Sequence, residues 1–156
     1  MTDSSSFVVE RSVTIAAPES RIRPLVENFH SWRDWSPWED LDPAMQRTYS
    51  GPDSGVGARY AWEGNRKAGA GAMTITGTEP GRVDIDLNFR KPFKADNKVE
   101  FRFTPADSGT TVSWSMSGRK NLLMRVLAPI FDTDKVVGKD YERGLAGLKR
   151  LAEQVN

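Results

Sequence analysis

Hydrophobic residues alternate with polar ones through the middle of the chain and recur every three or four positions near its end. Val83, Ile85, Leu87 and Phe89 point one way while Asp84, Asp86 and Asn88 point the other. Val99, Phe101 and Phe103 oppose Glu100 and Arg102; Val112, Trp114 and Met116 oppose Ser113, Ser115 and Ser117. Ala58, Tyr60 and Trp62 share a face, as do Gly71, Met73 and Ile75. A period of two in consecutive segments predicts an antiparallel sheet with one dry and one wet face. Glu79-Pro80-Gly81 and Ala106-Asp107-Ser108-Gly109 supply turn residues between segments. A further short strand is expected around residues 46–50, ended by Gly51-Pro52, and a first strand over residues 7–16. In that first strand Val9, Val13 and Ile15 share a face, interrupted by Arg11.

Helical signals flank the strands. Ala17-Pro18-Glu19-Ser20 starts a short helix, where proline costs little because its missing N–H would be unbonded anyway. Ile22, Leu25, Val26 and Phe29 follow at helical spacing, and the helix should end near His30. Residues 31–45 hold three tryptophans and two prolines and read as a helical turn followed by a loop. Leu122 to Phe131 is apolar with Pro129 inside, which predicts a kinked helix or two helices joined near Phe131 to Thr133. From about Asp134 to Gln154, Val137, Tyr141, Leu145, Leu148, Ala152 and Val155 form one helical stripe.

A sheet with one dry face needs a cover, and the last helix offers an apolar stripe long enough to supply it. The expected class is α+β, in one domain over residues 7–156 after a disordered polar tail at 1–6. A curved sheet cannot touch a straight helix along its whole length. Side chains or a ligand must fill the difference, and periodicity leaves both open.

Charge narrows the function. Lys and Arg total 22 against 21 acidic residues, a net +1. That balance, with no run of five or six like charges, argues against a nucleic-acid partner, which would need a concentrated basic patch to neutralise phosphates. The absence of cysteine excludes disulfides, thiolate metal sites and a cysteine nucleophile. It also fits a reducing compartment. No run approaches the roughly 18 apolar residues of a membrane span, and Met1 to Ser6 lacks the apolar core of a signal peptide. The expectation is a cytoplasmic protein without stable membrane insertion.

Trp32, Trp35 and Trp38 are spaced by three, so a helical turn would bring them near one face. With Tyr60, Trp62 and Trp114 they either line a pocket for a flat ligand or pack as core and loop latch. Gly69 and Gly71, at a strand start, mark sheet curvature or a widened cavity mouth. Gly64-Asn65-Arg66-Lys67 reads as a tight hairpin. His30 is alone at a helix end and supports neither a metal site nor a catalytic triad. Asp34, Glu39 and Asp40 flank the tryptophans, Glu63 falls on the wet face, and Asp132 and Asp134 are expected to cap the last helix. Arg11 on the dry face is either an inward polar group needing a carboxylate or ligand anion, or a rim residue in water. Tyr141 is either a donor to a ligand or a satisfied core tyrosine. Gly55-Val56-Gly57 lacks the lysine of a phosphate loop. No catalytic residue can be named.

Several stretches together carry a family resemblance: Trp32-Arg33-Asp34-Trp35-Ser36-Pro37-Trp38, Tyr49-Ser50-Gly51, Gly55-Val56-Gly57-Ala58, Trp62-Glu63-Gly64-Asn65, Gly138 to Leu145, and Leu148-Lys149. From Phe7 to Glu153 the chain resembles the polyketide cyclase/dehydrase-like branch of the START/SRPBCC superfamily, closest to a bacterial group. The resemblance implies a helix-grip fold like that of the birch pollen allergen: about seven antiparallel strands curved around a long C-terminal helix, with short helices after the first strand. It also implies a cavity between sheet and helix. The residues expected to line it are Trp35, Trp38, Tyr60, Trp62, Met73, Leu87, Phe89, Phe101, Trp114, Met116 and Tyr141, with Arg11 as a polar candidate. Three functions follow from such a fold: binding or transport of a small hydrophobic or aromatic molecule such as a lipid or polyketide, a cyclase or dehydratase reaction in the same cavity, or a protein-interaction module similar to chaperone regulators. No cofactor or metal is expected, and the chain is expected to be a monomer or homodimer.

Overall fold

The computed structural model of the chain describes residues 6–37, 44–65, 69–91, 94–119 and 133–154. Trp38, the Leu122–Phe131 segment and Asp132 lie outside the described residues.

Seven strands form one antiparallel sheet: β1 (Ser6–Ile15), β2 (Gln46–Ser50), β3 (Arg59–Glu63), β4 (Ala70–Glu79), β5 (Arg82–Lys91), β6 (Ala95–Ala106) and β7 (Gly109–Arg119). Their order across the sheet is β1-β7-β6-β5-β4-β3-β2, so β2 to β7 are a meander and β1 returns to close the far edge. The alternation seen in sequence is the alternation of burial. Val83, Ile85 and Leu87 are buried on β5, Val99, Phe101 and Phe103 on β6, and Val112, Trp114 and Met116 on β7. Two register shifts interrupt the β4–β5 ladder, at Ala70/Gly71 and at Ile75/Gly77. Such irregularities bend a strand and increase its twist. The β3–β4 connection is longer than the expected tight hairpin. Gly64 N–H donates to the Gly69 carbonyl (2.9 Å), and Gly69 N–H to that of Asn65 (2.8 Å).

The first helix, α1 (Glu19–Glu27), begins after Pro18, which is extended and caps it without a side-chain hydrogen bond. Pro24 lies inside α1, where it removes a backbone donor. Arg23 clamps the helix from the side, bonding Glu19 (2.7 Å), Glu27 (3.4 Å) and the Glu79 carbonyl of β4 (2.7 Å). Burial would lower the pKa of this guanidinium, but its bonds to Glu19 and Glu27 outweigh that and raise it.

α1 ends before the expected position near His30. Asn28 breaks it, and its side chain accepts from His30 N–H (2.9 Å) to open a 3₁₀ helix over Phe29–Asp34. A 3₁₀ helix has three residues per turn, so a spacing of three eclipses side chains. Phe29, Trp32 and Trp35 therefore face the core together. Trp32 Nε1 donates to the Val26 carbonyl (2.8 Å) and Trp35 Nε1 to that of Leu25 (2.9 Å), fastening this segment to α1.

The last helix, α2 (Thr133–Glu153), lies mainly along β1, with further contacts to β7 and α1. Its stripe is Tyr141, Leu145, Leu148 and Ala152, all buried, with Val137 half-buried. Polar bonds fix its position on β1. Lys149 Nζ donates to the Thr14 carbonyl (3.1 Å), and Ala16 N–H donates to Glu153 (2.8 Å). Gly144 and Gly147 allow close approach: a Cβ at Gly144 would sit 2.8 Å from the Trp114 indole, and one at Gly147 3.0 Å from the Trp35 carbonyl.

Candidate binding cavity

Strand register arranges the inner face in rows that cross the sheet. One row runs Val83, Phe101, Trp114 and Arg11; the next runs Ile75, Ile85, Val99, Met116 and Val9. A third runs Tyr60, Met73, Leu87, Asn97, Gly118 and Phe7, and a fourth Trp62, Gly71, Phe89 and Ala95. Nine of the twelve expected site residues lie in these rows; Trp35 and Tyr141 come from the 3₁₀ segment and from α2, and Trp38 lies outside the described residues.

Four of them form a filled aromatic block. Trp114 is sandwiched between Phe101 (centroids 5.1 Å, planes 21° apart) and Tyr141 of α2 (3.9 Å, 8°). Trp35 meets Trp114 edge-on at 5.5 Å and packs against Trp32 at 4.6 Å. None of the four is more than 5% exposed. Burial pushes the pKa of the Tyr141 phenol up, so it stays neutral at any physiological pH. These residues meet one another, and their faces are taken.

Six others lie toward the rows led by Tyr60 and Trp62, away from the contact of α2 with β1. Tyr60 is buried beside Tyr49 (5.2 Å) and Phe29 (6.0 Å). Trp62 stacks on Tyr60 (6.0 Å, 19°) and meets Phe89 edge-on (5.9 Å, 89°). Trp62, Met73 and Phe89 are only half-buried although they face inward, while Leu87 and Met116 are buried. Gly71 makes room for the Trp62 indole: a Cβ there would sit 2.7 Å from that ring and 2.5 Å from the Asn88 carbonyl.

Arg11 lies at the edge of the inner face, half-buried, with Nε 3.4 Å from the Glu142 carboxylate of α2 and Nη1 2.7 Å from the Glu10 carbonyl. It ties helix to edge strand at the rim. Glu63 is exposed and pairs with Lys91 (3.6 Å). His30 is exposed and stacks on Tyr49 (3.8 Å). Among the described residues no group of three His, Cys, Asp or Glu side chains is placed to hold a metal.

Asn97 escaped the sequence reading. It is 6% exposed on the inner face, between Leu87 and Gly118. The signal was present, because extending the alternation of Val99, Phe101 and Phe103 back by one step lands on residue 97. The outer face carries a depression of about 360 Å³ lined by Asp84, Asp86, Lys98, Glu100, Ser115 and Ser117, among others. Its lysine already pairs with Asp86 (2.6 Å), and its polar, open lining suits water better than an apolar guest.

The arrangement is a curved sheet gripped at one side by a helix, with an apolar inner face beyond the grip. Among the described residues no helix is long and apolar enough to cross a membrane. No curated protein matches the chain in sequence. Solved structures do match in fold. The di-domain ARO/CYC protein BexL superposes with a TM-score of 0.71 at 16% identity, over 97% of this chain and 52% of that one. A norcoclaurine synthase from Thalictrum gives 0.67 at 10% identity, over 97% of each chain. Aha1 from Colwellia psychrerythraea, a dimer, gives 0.66 at 16% identity, over 95% and 97%. At these identities the likeness is one of fold. The sequence model of the family described as polyketide cyclase / dehydrase and lipid transport matches residues 6–153, and the chain belongs to that family.

Proposed function

We propose that the protein binds a small hydrophobic or aromatic molecule on the inner face of the sheet, against Tyr60, Trp62, Met73, Leu87, Phe89 and Met116. The observation that carries this is the uneven burial of one continuous apolar face. Where α2 grips the sheet, Trp114, Phe101 and Tyr141 are sealed by each other. Beyond the grip, Trp62, Met73 and Phe89 point the same way yet stay half-buried. Rigid aromatic faces of this kind suit a flat or branched apolar guest. Membership of a family described by cyclisation and lipid transport supports the same reading. A protein-interaction module would instead need an exposed apolar patch. Among the described residues the large exposed hydrophobics are Val8, on the outer side of β1, and Val56, in the loop before β3. Two scattered valines do not make such a patch. A cytoplasmic address and a monomeric or dimeric state belong to this proposal.

The test is native mass spectrometry of protein purified from its own host, followed by organic extraction. A stoichiometric apolar compound is expected. Empty protein that also takes up neither fatty acids nor naphthalene probes would sink the reading.

A further inference from the structure

Asn97 is the anomaly of the inner face. Its neighbours along the strand, Val99, Phe101 and Phe103, are buried hydrophobics, and so is Leu87 opposite it on β5. Its Nδ2 faces the Met116 sulfur at 3.7 Å, a weak acceptor. Its Oδ1 is shut off from water and has no hydrogen-bond partner among the described residues. Buried polar groups are nearly always satisfied, and leaving one unbonded costs stability that an apolar residue of the same size would not. Gly118, opposite Asn97 on β7, leaves the space that the carboxamide occupies, since a Cβ there would collide with Oδ1. The Phe7 ring edge approaches the same point, 3.3 Å from where that Cβ would lie.

We infer that the Asn97 carboxamide oxygen is the hydrogen-bond acceptor of the cavity, and that the ligand carries a hydroxyl or amine donor on an otherwise apolar body. The inference rests on the ligand-binding reading above. The orientation of the amide is set by Met116, which accepts from its nitrogen and leaves the oxygen for the guest. Phe7, half-buried near the start of edge strand β1, and the flexible Met116 side chain are the groups that shift to admit a donor. Asn97 is thus a specificity residue, retained at a cost to the empty protein.

Two probes of nearly equal shape separate the hydroxyl from the apolar body: 2-naphthol and 2-methylnaphthalene, titrated by fluorescence into the wild-type chain and Asn97→Leu. The Kd ratio of naphthol to methylnaphthalene should rise about tenfold or more in Asn97→Leu, because a bound donor would lose its acceptor. The Tm of ligand-free Asn97→Leu should equal or exceed that of the wild type, as an unbonded polar group has gone. Asn97→Ala should give the same change in ratio if leucine is not accommodated. Both probes binding with an unchanged ratio would overturn the role of Asn97 while leaving the cavity intact. A fall in Tm with that unchanged ratio would make the amide structural. Neither probe binding the wild type would overturn the ligand reading itself, and this inference with it.

Discussion

The Trp114 and Tyr141 rings lie almost parallel, 8° apart with centroids at 3.9 Å, and join strand β7, next to the sheet edge, to the last helix. Both are 2% exposed. Removing a buried aromatic side chain costs about 3–5 kcal/mol. Tyr141→Ala and Trp114→Ala should each lose that much in urea denaturation. Tyr141→Phe keeps the stack and should cost about 1 kcal/mol or less. A Tyr141→Ala loss below about 1 kcal/mol would mean that the stack does not hold the helix.

Trp62 sits in the same curved face but outside the grip, so its truncation should separate binding from stability. Trp62→Ala should weaken naphthalene binding at least about tenfold and cost about 1–2 kcal/mol, since the side chain is only half-buried. Equal losses of stability for Trp62→Ala and Trp114→Ala would show that both are core. Calorimetric melts alongside probe titrations measure the two effects.

Gly71 gives a steric test. A methyl group there would press on the Asn88 carbonyl and on the Trp62 indole at once. Gly71→Ala should displace Trp62, cost about 1–3 kcal/mol as an overpacking change and lower probe affinity. Gly77→Ala is the comparison, because its methyl would meet mainly the Asp84 side chain, which can turn away. Similar binding by the two variants would remove Gly71 from the site.

Glu153 links stability to pH. Its carboxylate accepts from the Ala16 backbone N–H and from Lys149, and these bonds lower its pKa from the ordinary 4.5. The stabilisation is therefore present above the ordinary value and is lost as pH falls through the lowered one. Glu153→Ala should melt below the wild type at neutral pH, and the gap should close in acid below about pH 4.5. A gap that persists unchanged at low pH would show that the charge is not the source.

Much of this fold is legible in sequence because a period of two leaves few choices. Val83 to Phe89 has one apolar face, and that face is inside. The resemblance to a helix-grip family adds the order of the pieces. What alternation cannot show is depth. Trp62 and Trp114 read alike in sequence, yet their surroundings depend on where α2 lands, and that depends on Thr14, Ala16 and Arg11 meeting residues more than 130 positions away. The helical turn at the tryptophans is legible in sequence, but its 3₁₀ form and its start at Phe29 are not, for a different reason. Asn28 stops α1 by bonding its own downstream backbone, and the tryptophan spacing of three then changes meaning. Asn97 was overlooked because an asparagine at a strand's start looks like a turn residue until the ladder is extended through it to Ala95.

The position of β1 has a consequence for how the chain is made. Among the described residues its strand neighbour is β7, so Thr14 meets Thr111, 97 positions further along the chain. Contacts of such long range slow folding, since the loop between them must be closed first. During synthesis the first strand emerges with its apolar face exposed and waits through the translation of β2 to β6 before its partner appears. The meander of β2 to β6 can assemble in the meantime. The first strand of this sheet to be made is therefore among the last to be buried, and a ribosome-associated chaperone that covers Phe7 to Ile15 would act where the nascent sheet is most open to mispairing.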